Sequence, residues 1–147
     1  MRLRGSELRC CGSVGGQSLL FKPHPTMPAE NTAKENQPIS REEMVRLLNQ
    51  DLAREYQAVI AYVVYSQTMK GAQYLHIAKE LEKHASEELS HAIQIARQID
   101  YFGGTPVAAP EPVKLSEKPD DMLRFDLENE RVTILNYRRR IRQARLG

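Results

Sequence analysis

The sequence contains few aromatic residues and cysteines and no long apolar run. It has no tryptophan, 3 phenylalanines and 2 cysteines in 147 residues. The cysteines, Cys10 and Cys11, are adjacent, and no third cysteine could pair with either. This argues against a disulfide-stapled secreted fold and favours a reducing compartment, so we expect a cytoplasmic protein. No run of about 18 apolar residues occurs, so we expect no membrane-spanning helix.

Strong charge of one sign is also missing. The formal net charge of +2 is too small to indicate a nucleic acid or an acidic substrate. The cationic stretch from Arg138 to Arg142 is interpreted as a solvated helix end, because cations there complement the helix dipole. The 41% hydrophobic and 27% charged residues fit a single globular domain.

Residues 1–39 show no apolar periodicity and are punctuated by glycine and proline. Such a stretch buries too little apolar surface to offset its ordering entropy. We therefore predict a disordered extension over 1–39 and one helical domain over 40–147. Two alternatives stay open. The extension could be a targeting peptide, since its first nine residues carry three arginines and one acid, Glu7. It could also be a start-site extension, with Met27 as the true start.

The first long helix is predicted from Ser40 to about Met69. Ser40 and Glu43 match a capping box, and Gly71 ends the segment. Apolar side chains recur three and four residues apart, as in an amphipathic helix. They are Val45, Leu48, Leu52, Tyr56, Val59 and Val63.

A second helix is predicted over about 72–102, ended by Gly103 and Gly104. The turn near Gly71 is short, which favours antiparallel packing of the first two helices. One face of the second helix holds Tyr74, Ile77, Leu81, Glu88, His91, Ile95 and Ile99.

A proline-containing segment over 105–117 has the length needed to cross from one end of a bundle to the other. Ser116 and Pro119 then mark the start of a third helix. Its predicted inner face holds Leu123, Leu127, Glu130, Ile134, Tyr137 and Ile141. With no strand signal anywhere, the fold class is all-α, a bundle of long helices.

Ionisable side chains interrupt the apolar face of each helix. Glu55, Glu88 and Glu130 stand at mid-helix, and His91 shares a face with Glu88 because residues three apart do so. Taken alone, each of these side chains could lie at the edge of the helix interface, with its charged end in solvent. Three inward carboxylates together would repel one another unless a cation bound them. Carboxylates with one imidazole suit iron or manganese, with zinc as a competitor.

Two further residues lie near this predicted site. Tyr62 follows Glu55 by seven residues and is either a packed aromatic or an electron donor and hydrogen-bond partner beside an iron centre. His84, four residues before Glu88, is interpreted as a core or outer residue rather than a ligand.

Three segments carry a resemblance to a known family. The segments are Leu52-Ala53-Arg54-Glu55-Tyr56-Gln57-Ala58, Glu87-Glu88-Leu89-Ser90-His91-Ala92 and Met122-Leu123-Arg124-Phe125-Asp126-Leu127-Glu128-Asn129-Glu130. At these positions the chain resembles the ferritin-like superfamily, and most closely the bacterioferritin group, over 40 to about 144.

The resemblance implies a four-helix bundle with a di-iron centre that oxidises Fe(II) with oxygen or peroxide, often within iron-storing homo-oligomers. It places the iron ligands at Glu55, Glu88, His91 and Glu130, with Glu88 as the bridge, and the aromatic near the centre at Tyr62.

The chain departs from the family pattern at two points. Leu89 occupies the position of the methionine that ligates haem in haem-binding members, so we predict no haem. No second Glu-x-x-His follows His91, so we expect the fourth helix of the family to be missing and one groove of the bundle to be open. Three functions stay open: a ferroxidase completed by another helix or chain, a half-site that binds one cation without turnover, and a structural module that docks on a partner.

Overall fold

A computed structural model describes residues 38–146. The disorder predicted for residues before 38, and the alternatives proposed for them, lie outside this range. The described residues form three long α-helices and one short 3-10 turn, with no strand among them. The all-α prediction is confirmed. Within the same range, no helix is both long enough and apolar enough to cross a membrane.

Helix α1 spans Arg41–Thr68 and begins as the capping box predicted. The Ser40 hydroxyl oxygen accepts a hydrogen bond of 3.1 Å from the backbone N–H of Glu43. The helix is followed by Gly71, whose φ of 117° is rarely adopted by residues with a side chain. Capping and the glycine turn are local effects, which is why the sequence located both ends of this helix.

Helix α2 spans Leu75–Tyr101 and follows a 3-10 turn over Ala72–Tyr74. It packs along α1 and forms two apolar clusters with it, one around Tyr65 and Leu81 and the other around Leu52 and Ile99. The candidate site residues of both helices lie between these clusters, so packed side chains hold the site from both ends.

The segment between α2 and the third helix runs along α1. Near its start, the Val107 N–H donates to the Asn49 side-chain oxygen at 2.7 Å. Near its end, the Tyr65 hydroxyl donates to the Lys114 carbonyl. Residue numbers rise in the same direction along the segment and along α1. The segment therefore runs from the N-terminal to the C-terminal end of α1, which confirms the predicted crossover.

Helix α3 spans Pro119–Leu146, and the Lys118 N–H before it donates to the Ser116 hydroxyl at 3.1 Å. It packs against α1, whereas no Cα atom of α3 lies within 8 Å of one in α2. The predicted inner face of α3 was therefore wrong in part. Its apolar members Leu127, Ile134 and Ile141 are 59%, 47% and 53% exposed. The periodicity located an apolar stripe, but the side of α3 that faces α1 is largely polar.

We predict that Ile134→Ala changes the stability of the isolated chain little, by less than about 1 kcal/mol, because the side chain is already half exposed. Ile99→Ala, the same change at a fully buried position, should cost about 2–5 kcal/mol. Urea unfolding measures both. A similar cost at the two positions would mean that another surface covers the α3 stripe in solution.

Candidate metal site

The centre of the molecule brings one carboxylate of α1 together with the Glu-x-x-His step of α2. His91 Nδ1 lies 2.7 Å from Glu88 Oε2 and 3.7 Å from Glu55 Oε2. One ligand atom of each residue lies within 4.8 Å of the others, so the group could hold a metal ion. Glu55 is 2% exposed, whereas the His91 side chain is 49% exposed. The cluster is therefore shielded from solvent at Glu55 and accessible to solvent at His91.

The two carboxylate oxygens of Glu55 have different surroundings. Oε1 accepts a hydrogen bond from the Tyr137 hydroxyl of α3. Oε2 is buried and has no hydrogen-bond partner among the described residues. Leaving a buried acceptor unpaired costs about 1–3 kcal/mol, and more for a charged group. A cation between Oε2, Glu88 and His91 would remove that cost, so this donor set fits a metal.

Burial raises the pKa of the Glu55 carboxyl to about 8, and the negative charges of Glu88 and Glu130 act in the same direction. A buried carboxylate among other carboxylates is disfavoured unless positive charge is supplied. In the absence of a metal, the arrangement thus favours a proton on Glu55.

Glu130 lies beside the group of three rather than within it. The Tyr62 hydroxyl oxygen is 2.9 Å from Glu130 Oε1 and 2.6 Å from Asp126 Oδ1. The hydroxyl has one hydrogen and can donate to only one of the two. The other short contact requires a proton on that carboxyl. Burial raises the pKa of the Asp126 carboxyl. The ligand role of Glu130 stays a prediction.

Tyr62 itself is buried, and burial together with the neighbouring Asp126 raises the pKa of its hydroxyl. The ring of His84 meets the Tyr62 ring edge-on, with centroids 5.8 Å apart. His84 thus contacts the aromatic beside the site and lies outside the group of three ligands. Leu89, the position on which the haem prediction depends, is 50% exposed.

Sequence reasoning missed three residues that shape the site. Asp126 is one helical turn before Glu130, and Tyr137 had been assigned only to the apolar face. Arg140 was interpreted as part of a solvated run, but its side chain is 13% exposed and pairs with buried Asp51 at 2.7 Å. One signal was available: Asp51 stands one turn before Glu55, and a buried acid requires a partner.

A family model described as the ferritin-like domain matches residues 45–146. A ferritin-like, diiron-carboxylate protein from Bacillus anthracis str. Ames is similar in structure, with a TM-score of 0.69 and 35% identity over 72% of this chain and 78% of that one.

A dodecameric thioferritin, the bacterioferritin-related protein from Bacteroides fragilis, has a TM-score of 0.63 and 26% identity over 76% and 73% of the two chains. A search of the curated proteins found none that matches.

We predict that the metal-free protein loses stability as the pH rises from about 5 to about 8. Across this range folded Glu55 keeps its proton, while the unfolded carboxyl, with a pKa near 4.5, has lost it. The folded state binds more protons, so the free energy of unfolding falls with rising pH. Urea unfolding at each pH measures this slope.

Glu55→Gln should flatten the slope, since the amide does not titrate, and Glu87→Gln at an exposed neighbouring position should leave it unchanged. An identical slope in the wild type and Glu55→Gln would contradict the assignment of the buried proton.

Proposed function

The chain belongs to the ferritin-like domain family, and from this premise we propose that it binds iron as a non-haem di-iron protein of iron oxidation, storage or detoxification. Fe(II) is the proposed substrate, with oxygen or peroxide as the electron acceptor. The observation that carries the proposal is the unpartnered, buried Oε2 of Glu55, which lies in one cluster with Glu88 and His91. The diiron-carboxylate description of the Bacillus anthracis protein supports it.

Each residue of the site has a distinct proposed role. Glu55 Oε2, Glu88 and His91 would bind iron, with Glu130 as a further carboxylate ligand. Bound iron supplies the electrons that pass to the oxidant. Tyr137 holds Oε1 of Glu55 and so fixes the rotation of the carboxylate, leaving Oε2 for the metal. Tyr62 holds Glu130 and Asp126 in place and shares a proton with them.

The exposed side of the site bears on assembly. His91 is half exposed, and the apolar stripe of α3 is uncovered within the described residues. Exposed apolar surface of this kind favours association with another chain. We therefore propose a homo-oligomer, in keeping with the dodecamer described for the Bacteroides fragilis relative.

A second candidate function follows from the number of ligands. Only three residues of the described part of the chain form the ligand cluster, which is enough for one metal ion. The alternative is a module that binds one cation without turnover. Metal stoichiometry distinguishes the two, because a competent di-iron centre takes two irons per site and the alternative takes one.

We predict that Glu88→Ala lowers iron binding and the initial rate of Fe(II) oxidation at least tenfold, because it removes the carboxylate that lies 2.7 Å from His91 in the ligand cluster. Anaerobic loading with Fe(II), followed by oxygen and a colorimetric assay of the remaining Fe(II), measures both quantities.

Glu87→Ala is the matched control, since this exposed neighbour lies outside the cluster. Equal losses in the two variants would remove the assignment to Glu88. A wild-type protein that binds no iron would end the proposal, and one that binds a single iron without oxidising it would establish the alternative.

A further inference from the structure

A buried ion pair joins α1 to α3 one helical turn from Glu55. Arg140 Nε donates to Asp51 Oδ2 at 2.7 Å, and Arg140 Nη2 approaches Oδ1 at 3.4 Å. Asp51 is 2% exposed and the Arg140 side chain 13%. The third guanidinium nitrogen donates to Gln143 at 3.0 Å, so Arg140 is held in a single orientation.

The pair lies one helical turn from the contact between Tyr137 and Glu55. Asp51 precedes Glu55 by four residues on α1, and Arg140 follows Tyr137 by three on α3. The helices run in opposite directions there, since residue numbers fall along α1 as they rise along α3. The Asp51–Arg140 and Glu55–Tyr137 contacts are thus adjacent along the interface of α1 and α3, and the Tyr62–Glu130 contact continues the same row. We call this row of three contacts the polar seam.

Near its start α3 packs Met122 into the apolar cluster around Tyr65, and along the rest of the helix the contacts that can set its register are those of the polar seam. No Cα atom of α3 comes within 8 Å of α2, and much of the apolar stripe of α3 faces solvent. Successive residues of a helix differ by about 100° in direction. A slip of one residue would therefore turn the Tyr137 hydroxyl away from Glu55 Oε1.

We propose that the Asp51–Arg140 pair is a positioning element of the metal site, which sets the register of α3 so that Tyr137 holds Glu55. The proposal rests on the proposed metal-binding function. Neither residue binds the metal. Their effect passes through the Tyr137 hydroxyl, which occupies Oε1 of Glu55 and leaves Oε2 directed at Glu88 and His91.

A purely stabilising role makes a different prediction. Buried ion pairs contribute little net stability, because desolvation offsets the attraction, and well-packed apolar replacements are often neutral or stabilising. A pair kept only for stability could be exchanged for Leu and Met without consequence for the site. A pair that fixes geometry could not, since apolar side chains lack the directional, two-point contact of a guanidinium with a carboxylate.

The test uses Co(II) as the probe, titrated by visible absorbance into the full chain, with urea unfolding of the metal-free protein in parallel. The variant Asp51→Leu/Arg140→Met should keep the stability of the wild type but bind Co(II) about tenfold more weakly. Tyr137→Phe should show a similar loss. Adding Tyr137→Phe to the double variant should cause no further loss, because both changes interrupt the same contact.

Two more variants separate geometry from charge and from folding. Arg140→Lys keeps the charge but cannot make the planar two-point contact, so it should also weaken Co(II) binding. Lys83→Met removes exposed ion pairs with Glu80 and Glu87 on α2 and should leave the Co(II) affinity and the stability unchanged. If Asp51→Leu/Arg140→Met fails to fold, the comparison of Arg140→Lys with Tyr137→Phe and with their combination carries the same test.

The outcomes are distinguishable. Unchanged Co(II) affinity in the folded ion-pair variants overturns the positioning role while leaving the metal site intact. Losses that multiply when Tyr137→Phe is added also overturn it, since Arg140 would then act independently of Tyr137. A wild-type chain that binds no Co(II) or iron overturns the proposed function together with this inference.

Discussion

The buried carboxylate of Glu55 is the constraint around which the other polar contacts are arranged. An ionised carboxylate away from water costs several kcal/mol unless it is paired or coordinated. One oxygen is satisfied by Tyr137, and the other faces Glu88 and His91 without a partner. Burial and the nearby acids raise the pKa of Glu55, so the site favours a proton or a cation over the free anion. A site for positive charge follows from this imbalance.

The other two long helices and the crossover segment all contact helix α1. The second helix packs along it, the crossover bonds to its side chains, and α3 reaches the rest of the molecule through it. The contacts with α2 are mainly apolar and close the core. Those with α3 combine the buried Met122 near the start of the helix with hydrogen bonds and an ion pair further along, so α3 is oriented by direction-dependent contacts as well as by packing.

Much of the fold and part of the site could be predicted before any coordinates. Ser40, Gly71 and Pro119 act within a few residues of their own positions, so the limits of α1 and the start of α3 agree with the sequence pattern. The start of α2 was placed three residues early, because the 3-10 turn carries helix-like signals. The apolar stripe of α3 was assigned to the core, since periodicity reports that a face is apolar and not which neighbour covers it.

The sequence by itself determined three helices, a crossover, and the mid-helix positions of Glu55, Glu88 and His91. The tertiary structure decided that Tyr137 and Arg140 contact α1, across separations of 82 and 89 residues. The tertiary structure also placed Glu130 beside Tyr62 rather than within the group of three ligands, and it left the apolar stripe of α3 exposed. The physical reason is that helix formation depends on neighbours three and four residues away. The pairing of side chains between helices depends on rotation and register, which no local pattern specifies.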